Sequence, residues 1–371
     1  MRLSVLHVVP ASPFGGAQRL AIDLAAEQRA AGWDSRILFT DGGAAARTAA
    51  ASKDVASVCS ASEMKARCAR IRATRAAVFR AAPEVLHLHM PPPWIGLALP
   101  ARGHSRVVTH LHACPPLQVH APAMSILLGH HALKRTLAAS NLTLAVSQWV
   151  AAAYRAAYPT VRTPCEVVYN GVDLPVGRCA RASPAAPVIG TAVRIAPRKG
   201  LDEFIDFAAA VRARQPECRF LIAGEGEPDY QRHLVDRIGE RGLEGIVSFA
   251  GFVSPIDRFW ADVDLAAFTS PFEPFGLRLI EPVAAGVPAI SYLTGTGSDE
   301  IIARCRGIAA VPYGDPDTLA DLAADLLAAP GRRAAMAEQG RDDVRTLFSV
   351  DVMSRKVAAA YERLLGRATA P

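Results

Sequence analysis

The sequence predicts an α/β fold built from two doubly wound domains that face a central cleft. Short apolar runs alternate with helical patterns in the first half of the chain, and the alternation restarts in the second half. Such runs are typical of parallel strands covered by helices on both faces. With 371 residues, the chain is long enough for two such domains. Open α/β sheets bind ligands at the carboxyl ends of their strands, so we expect the functional site in the cleft.

The elements follow in order along the chain. In the first half, we expect strands at 3–9, 35–39, 85–89, 107–112, 142–146 and 166–169, and helices at 16–32, 63–81, 123–139 and 147–157. In the second half, we expect strands at 188–193, 219–223, 246–250, 264–268, 289–292 and 308–311, and helices near 200–214, 229–241, 276–285, 298–304, 315–328 and 349–366.

A linker is predicted between the two halves. Residues 175–187, PVGRCARASPAAP, are rich in Pro, Gly, Ser and Arg and show no periodicity. The first domain is therefore expected at 1–174 and the second at 188–348.

Composition narrows the class of protein. Hydrophobic residues make up 51% of the chain, which excludes a disordered protein. The net charge of +6 is compatible with anionic ligands, and no nucleic-acid-binding module accompanies it. The seven cysteines are scattered, without a C-x-x-C pair, which favours a reducing compartment and disfavours structural zinc. No apolar run approaches the length of a membrane span. We therefore expect a cytoplasmic protein.

The most informative segment is SPFEPFGLRLIEPVAAGVPAI, residues 270–290, in which Glu273 and Glu281 are eight positions apart. Gly276 lies where a strand and loop turn into a helix, and the free N–H groups of a helix N-terminus suit a phosphate or another anion. Eight residues span roughly 12 Å in a helix, so the two carboxylates suit the two ends of one extended ligand. The structural alternative is an ordinary strand–loop–helix junction with surface glutamates.

A basic loop follows the first strand of the second half. In VRIAPRKG, residues 193–200, the cations Arg194, Arg198 and Lys199 lie at the carboxyl end of a strand. Fixed cations in that place suit a diphosphate and the neutralisation of a leaving group. A solvated basic loop is the alternative.

Paired glycines follow the first strand of the chain, in PFGGAQR, residues 13–19. Gly15 and Gly16 let backbone N–H groups approach a ligand where a helix begins, although a turn alone also uses glycine. The segment lacks the G-x-G-x-x-G pattern of dinucleotide-binding domains, and no acidic residue matches on a second strand. An NAD-dependent enzyme is therefore disfavoured.

Taken together, these segments resemble the retaining glycosyltransferases of family 4, which have the GT-B architecture of two Rossmann-like domains. The resemblance rests on PFGGAQR, NGVD at 170–173, the R-x4-KG pattern of residues 194–200, AGEGE at 223–227 and the E-x7-E segment EPFGLRLIE. It implies an acceptor-side N-terminal domain and a C-terminal domain that binds the nucleotide-sugar donor. It also implies that a C-terminal helix, about 349–371, crosses back onto the first domain.

The resemblance implies a role for each matching residue. Arg194 and Lys199 would hold the donor diphosphate, and Glu273 would contact the donor sugar. Glu281 would bind the ribose hydroxyls, and His112, in THLHA, would lie near the sugar. Gly15 and Gly16 would make room for the phosphate and the acceptor, and Phe252 and Val253 would lie against the base. The backbone of Phe275, Gly276 and Leu277 would contact the sugar and its phosphate.

Three positions depart from the family pattern. Thr296 stands where the first glycine of a Gly-Gly pair is usual, Val193 precedes Arg194 where glycine is common, and Pro282 follows Glu281 in place of alanine. Because proline disfavours the helical conformation in the residue before it, the motif fixes neither the donor choice nor the exact pose of Glu281, whereas the predicted fold is unaffected.

The expected activity is the transfer of a sugar from a UDP- or GDP-linked donor to a hydroxyl group of a carbohydrate, lipid-linked or small-molecule acceptor. The cations and the helix N-terminus would stabilise the departing diphosphate, so no metal and no cofactor beyond the nucleotide sugar are expected. Front-face attack, which the family is thought to use, would retain the anomeric configuration. A covalent route through Glu273 is the alternative.

Two other functions stay open. A sugar-nucleotide epimerase of the same fold would turn over without any acceptor. A non-catalytic nucleotide-sugar-binding partner of a glycosylation complex would bind donor and never turn over, although the four intact residues Arg194, Lys199, Glu273 and Glu281 argue against decay.

Three further patterns are interpreted as structural. The pairs His87/His89 and His110/His112 each share one face of a strand and lack a third ligand at a recognisable spacing, so packed or ligand-contacting histidines are favoured over a metal site. The D-x-D of residues 262–264 precedes an apolar strand. Residues 65–80 form a basic helical pattern for which a solvated outer face is favoured over peripheral contact with the inner membrane face.

Overall fold

The structure is a computed structural model, and it describes residues 3–10, 15–40, 67–90, 95–98, 105–115, 123–175 and 186–367. The chain divides into two compact units. The first unit comprises Met1–Gly171 with Val350–Pro371, and the second comprises Val172–Ser349. Most of the predicted linker, residues 176–185, lies outside the described residues.

The first unit contains a six-stranded parallel sheet in the order β2-β1-β3-β4-β5-β6. Its strands are β1 Ser4–Val9, β2 Asp34–Phe39, β3 Val85–His89, β4 Arg106–Leu111, β5 Leu142–Ala145 and β6 Cys165–Val167. Its described helices before the second unit are α1 Gly16–Ala30, α2 Arg67–Ala81, α3 Ile95–Ala98, α4 Ala123–Ala139 and α5 Gln148–Ala157. The chain direction across the sheet reverses beside β1, so the carboxyl ends of β1 and β3 flank the switch point where such sheets bind ligands.

The second unit repeats this design with the strand order β12-β11-β10-β7-β8-β9. Its strands are β7 Val188–Ala192, β8 Arg219–Ala223, β9 Val247–Gly251, β10 Leu265–Phe268, β11 Ala289–Leu293 and β12 Ile308–Pro312. Its helices are α6 Leu201–Arg214, α7 Pro228–Glu240, α8 Asp257–Trp260, α9 Leu277–Ala284, α10 Gly297–Ile302, α11 Pro316–Ala328 and α12 Pro330–Leu347, with a 3₁₀ turn at Pro197–Lys199. The switch point lies between β7 and β10.

The last helix, α13 Val350–Leu364, belongs to the core of the first unit. Met353, Val357 and Tyr361 are fully or almost fully buried in one apolar cluster with Leu20 and Leu24 of α1. Burying three side chains of this size contributes several kcal/mol, because each large apolar side chain contributes about 1.5–3 kcal/mol. The unit is therefore completed by a segment that follows the second unit in sequence.

The prediction of a doubly wound α/β fold in both halves is confirmed, and most element bounds agree within two residues. Helix α12 was not predicted. Its buried residues are small, since Ala337, Gly340 and Val344 are the ones that pack inward. A Cβ at Gly340 would lie 2.4 Å from the Cα of Gly307, so the backbones meet there directly. Packing through small residues leaves no apolar periodicity for a sequence pattern to show.

Among the helices of the described residues, none is long and apolar enough to cross a membrane.

Candidate active site

Lys199 and Glu273 meet at the switch point of the second sheet. Lys199 ends the 3₁₀ turn after β7, and Glu273 lies in the loop after β10. Their side chains form an ion pair with 2.6 Å between Nζ and Oε1, and they are only 22% and 17% exposed. The sequence pattern did not predict this contact, because the two residues are far apart in sequence and only the parallel sheet places their loops side by side.

Gly200 allows these two loops to approach each other. Its φ is +70°, and a Cβ there would lie 2.3 Å from the carbonyl oxygen of Thr269. The hydroxyl of Thr269 donates to the oxygen of Gly200 at 2.6 Å, and the hydroxyl of Ser270 donates to the oxygen of Lys199 at 3.0 Å. Only glycine fits both the dihedral angle and the space. The loop is thus fixed by two hydrogen bonds beside the ion pair.

The AGEGE segment supports the loop that carries Arg194. A Cβ at Gly224 would lie 1.9 Å from the oxygen of Val193, and a Cβ at Gly226 would lie 1.8 Å from the oxygen of Ile195. The N–H of Ile195 donates to the oxygen of Glu225 at 3.0 Å. The two glycines are therefore explained by close backbone packing. Arg194 itself is exposed, and it forms no ion pair with any residue that the structure describes.

The backbone of Glu273 is held by the GTGS segment. Its N–H donates to the hydroxyl of Thr296 at 3.3 Å, and its carbonyl oxygen accepts from the N–H of Ser298 at 3.1 Å. The Thr296 hydroxyl is also 2.7 Å from the hydroxyl of Thr294. The threonine that replaces a glycine of the family pattern thus contributes a side-chain contact to the Glu273 loop.

Helix α9 begins at Leu277, four residues after Glu273, and carries Glu281. Gly276 precedes the helix with φ +100°, a conformation that favours glycine. A small cavity beside it is lined in part by Glu273, Gly276, Arg278 and Ser298. The helix N-terminus therefore lies beside a small depression that Arg278 and Ser298 line together with the Glu273 carboxylate.

Pro282 does not interrupt the helix, because α9 runs through both Glu281 and Pro282. The missing N–H of Pro282 costs one hydrogen bond, and burial of Leu279, Ile280 and Val283 on the same helix offsets this cost. Burial of Pro282 itself adds apolar contact on that side of the helix.

Arg278 forms an ion pair with the predicted site residue Glu281, and the sequence motifs gave it no role. Its Nη1 lies 2.8 Å from Oε2 of Glu281, and this carboxylate raises the pKa of the guanidinium. The spacing of three residues on a helix is the signal that would have found the pair. The ion pair fixes where the Glu281 carboxylate points.

The remaining predicted donor-binding residues of the second unit differ in exposure. Phe275 is buried and packs edge-on against Phe348 with 6.3 Å between ring centroids, so its side chain supports the fold. Leu277 is half-buried at the start of α9. Phe252 is 70% exposed, and Val253 beside it is half-buried. An aromatic ring left in solvent after a strand is available to a ligand.

His112 belongs to a cluster of five histidines in the first unit. His7 lies on β1, His87 and His89 lie on β3, and His110 and His112 lie at the end of β4. Burial lowers the pKa of His7 to about 4 and that of His112 to about 3, and it also lowers the pKa values of the other three. All five imidazoles are therefore neutral near pH 7.

Two triads within this cluster have the composition of a metal site. His7, His87 and His89 form one, and His89, His110 and His112 form the other, with ligand atoms of each triad within 4.8 Å of one another. The sequence analysis saw the pairs on β3 and β4 but not the third ligand, since His7 on β1 is brought alongside only by strand pairing.

Gly15 and Gly16 lie at the N-terminus of α1. Gly15 is extended, and a Cβ there would lie 3.6 Å from Oε1 of Gln18, which is an ordinary contact. The fold of the described residues therefore does not require glycine at position 15. Pro13 and Phe14 of the same motif lie outside the described residues.

Of two patterns that were interpreted as structural, the D-x-D sequence forms a structural contact and the basic helix exposes its arginines. Oδ2 of Asp264, in the D-x-D sequence, accepts from the N–H of Val188 at 2.9 Å at the start of the sheet. Helix α2 exposes Arg72, Arg75 and Arg80 to solvent, together with Phe79. The first two residues of the basic pattern, 65 and 66, lie outside the described residues.

Family models match both halves of the chain. The model for "Glycosyltransferase Family 4" matches residues 14–175, and the model for "Glycosyl transferases group 1" matches residues 181–343. The fold is similar to that of HepE from Anabaena, whose structure was solved in complex with UDP and glucose, with a TM-score of 0.80 and 20% identity over 97% of this chain and 100% of the other.

Curated relatives agree with the family models. The chain is 27% identical, over 71% of its length and 74% of the relative's, to a GDP-mannose-dependent monoacylated alpha-(1-6)-phosphatidylinositol monomannoside mannosyltransferase of Corynebacterium glutamicum. It is 26% identical to the lipopolysaccharide core biosynthesis mannosyltransferase LpsB of Rhizobium meliloti over 49% of this chain, and the match spans about half of that relative's length, 53%.

The sequence motifs, the two sheets and the two family models define a GT-B glycosyltransferase fold. The chain belongs to glycosyltransferase family 4, as the resemblance of its motifs predicted.

Proposed function

We propose that this protein transfers a sugar from a UDP- or GDP-linked donor to a hydroxyl acceptor, with retention of the anomeric configuration and without a metal ion. The ion pair of Lys199 and Glu273 carries the proposal. It places a cation and a carboxylate together at the carboxyl ends of two parallel strands, directly before the N-terminus of α9. This is the place where α/β sheets of this type bind ligands.

The chemistry follows from the charges. In the transition state, positive charge develops at the anomeric carbon and negative charge at the departing diphosphate. Lys199, the exposed Arg194 and the N–H groups at the start of α9 stabilise the diphosphate. Glu273 lies on the side of the sugar, and Glu281, oriented by Arg278, accepts from the ribose hydroxyls.

Front-face transfer balances without a cofactor. The bond between the anomeric carbon and the diphosphate oxygen breaks, and the acceptor oxygen forms the new bond on the same face. The acceptor's proton goes to the departing phosphate oxygen. A metal is not needed for charge neutralisation, because Lys199, Arg194 and the helix N-terminus supply positive charge.

Names of the relatives indicate the acceptor class. One is a mannosyltransferase of lipopolysaccharide core biosynthesis, and the other is a phosphatidylinositol monomannoside mannosyltransferase. We propose a glycoconjugate or lipid-linked hydroxyl as acceptor here, with peripheral membrane contact through the arginines of α2. The proposed membrane contact is contradicted if the protein does not sediment with anionic liposomes at low salt.

The first experiment is a thermal-shift panel with UDP, GDP, ADP, CMP and NAD, in EDTA and in magnesium. Ligand at 100 times its Kd adds about 2.7 kcal/mol of stability. One nucleoside diphosphate is expected to raise the Tm in EDTA, and this shift should be lost in Lys199→Met. No shift with any nucleoside diphosphate contradicts the donor site.

The second experiment uses the nucleotide sugar that the panel identifies. Slow hydrolysis of an α-linked donor in the absence of acceptor is followed by NMR. Retention gives the α-anomer of the free sugar first, and release of the β-anomer contradicts the proposal. Interconversion of the donor sugar without release of diphosphate would instead identify an epimerase, and binding with no turnover towards any acceptor would identify a non-catalytic partner.

A further inference from the structure

The histidine-rich face of the first sheet requires an explanation of its own. His7 is the register partner of His87, and His89 is the register partner of His110, so the rings stand side by side on one face. His7, His87, His89 and His110 are 0% exposed. A buried polar group costs free energy unless it forms a hydrogen bond. Burial of five adjacent imidazoles therefore costs free energy that hydrogen bonds must offset.

One continuous chain of hydrogen bonds runs through this face. Nε2 of His112 is 3.1 Å from Nδ1 of His89, and Nε2 of His89 is 3.0 Å from Nδ1 of His7. Nε2 of His7 is 2.9 Å from Oε1 of Gln28 on α1. The hydroxyl of Ser35 donates to the same oxygen at 2.8 Å. These hydrogen bonds thus connect His112, at the end of β4, through β3 and β1 to the buried amide of Gln28 on α1.

The amide oxygen gives this chain a direction. An amide oxygen only accepts, so the proton of His7 lies on Nε2. His7 is neutral, because burial lowers its pKa to about 4, and its Nδ1 is therefore an acceptor. His89 must then donate from Nε2 and accept at Nδ1. The same reasoning places the proton of His112 on Nε2 and leaves its Nδ1 bare.

The end of the chain lacks a partner. Nδ1 of His112 is buried and has no hydrogen-bond partner within the part of the chain that the structure describes, and the same holds for Nε2 of His87 and for both ring nitrogens of His110. Of these nitrogens, only Nδ1 of His112 ends the chain of hydrogen bonds from Gln28. A bare imidazole nitrogen is a strong acceptor, and a ligand hydroxyl is the donor that would satisfy it.

We propose that Gln28, His7 and His89 are positioning residues that hold His112 in the tautomer with its proton on Nε2, so that Nδ1 accepts a hydrogen bond from a hydroxyl of the substrate. That the substrate is a sugar rests on the proposed glycosyl transfer. The tautomer itself does not rest on it, because the chain sets it in the free protein.

A metal ion in either triad is the competing explanation. In a tetrahedral site with metal–nitrogen distances near 2.0–2.1 Å, the nitrogens lie roughly 3.3 Å apart. Two contacts here are shorter, at 3.0 and 3.1 Å, and the chain continues to an amide oxygen and a hydroxyl. Hydrogen bonding accounts for all of these contacts together.

The direct test is the ring-nitrogen NMR spectrum of the free protein labelled in histidine, with the His112 signals identified by their loss in His112→Gln. The expected result is a neutral His112 with a protonated Nε2 and a bare Nδ1. If the amide of Gln28 were turned over, every donor in the chain would reverse, and a His112 protonated on Nδ1 would overturn the proposal. A stoichiometric metal in the purified protein, with histidine signals that move when it is chelated, would also overturn it.

Three variants separate positioning from simple packing. Gln28→Met removes the acceptor at similar volume and is expected to give a mixture of His112 tautomers. Gln28→Glu keeps an acceptor at this position and should preserve the wild-type tautomer. The matched control is Thr109→Val, on β4 three residues before His112, which removes a buried hydrogen bond of 2.8 Å to Ser140. An unchanged tautomer in Gln28→Met contradicts the proposal, and if that variant does not fold, the wild-type spectrum still decides.

Kinetics show whether the tautomer matters for transfer. Loss of one hydrogen bond in the transition state corresponds to a decrease of roughly three- to tenfold in kcat/KM for Gln28→Met. Wild-type kinetics are expected for Thr109→Val. If transfer occurs and Gln28→Met is as active as wild type, the inference fails while the proposed function stands. If the tautomer is as expected and no nucleotide sugar is bound or turned over, the proposed function fails instead.

Discussion

The ion pair of Lys199 and Glu273 makes a prediction in which two neighbouring substitutions have opposite effects. A donor diphosphate would take the Lys199 ammonium as its own partner, in competition with the Glu273 carboxylate. Lys199→Met keeps the apolar stem of the side chain and removes only the charge. Glu273→Gln keeps the volume and removes the competitor. We therefore expect the first to weaken nucleoside diphosphate binding and the second to leave it unchanged or stronger.

The magnitude follows from the burial of the pair. A hydrogen bond to a charged group contributes about 1.5–3 kcal/mol, and the two side chains are only 22% and 17% exposed. Loss of the ammonium should therefore raise the Kd for the bound nucleoside diphosphate about 10- to 100-fold. The cost in stability is smaller, about 1 kcal/mol, because solvent still reaches both groups.

Isothermal titration with the nucleoside diphosphate that wild type binds is the assay. The matched control is Lys356→Met, which removes an exposed lysine of the first unit. This lysine lies 5.9 Å from the Tyr169 ring of the same unit. It should not change the Kd. A wild-type Kd in Lys199→Met, or a loss of binding in Glu273→Gln as large as that in Lys199→Met, would refute this account of the pair. Sugar transfer should be lost in both Lys199→Met and Glu273→Gln.

Three further predictions concern the fold around the site. Gly200→Ala should lower the free energy of unfolding by about 2–4 kcal/mol in thermal unfolding, because its Cβ would lie 2.3 Å from a backbone oxygen. Gly242→Ala, at φ +64° with open space around it, should lower it by only about 1 kcal/mol. Equal costs would contradict the steric argument. Thr296→Val removes the acceptor for the N–H of Glu273 and should lower kcat by roughly tenfold with little change in Tm; unchanged kcat in steady-state assays would argue against it. Burial lowers the pKa of His7 from 6.5 to about 4, so unfolded chains bind more protons than folded ones between these pH values. The contribution of neutral His7 to stability should therefore be full above pH 6.5 and fall as the pH drops towards 4. A melting temperature that is independent of pH over this range would contradict neutral burial.

The sequence could predict the layers of this fold because each strand is a short run buried on both faces. Strands such as Val85–His89 and Arg219–Ala223 were predicted at their observed bounds. Helix α12 was not predicted because Gly340 contacts Gly307 backbone to backbone, and such packing needs no periodic row of apolar side chains. Hydrophobic periodicity in the sequence therefore predicts only those elements that bury large apolar side chains.

Site residues could be predicted where a motif is local. The glycine before α9 and the carboxylates on either side of it follow from one short segment, because all three lie within nine consecutive residues. The ion pair of Arg278 and Glu281 was missed although it lies on a single helix turn. The E-x7-E pattern specifies only its two glutamates, so it assigns no role to Arg278 between them.

The sequence by itself determined the alternation of strands and helices, the family and the residues that carry charge at the strand ends. Only the tertiary structure decided that Lys199 contacts Glu273, that Thr296 holds the Glu273 loop, and that His7 joins His89 and His112 in one hydrogen-bonded chain. The physical reason is the parallel sheet. Each of its strands is separated from its neighbour by a helix, so residues that touch across it are far apart in sequence, and strand order and register alone bring them together.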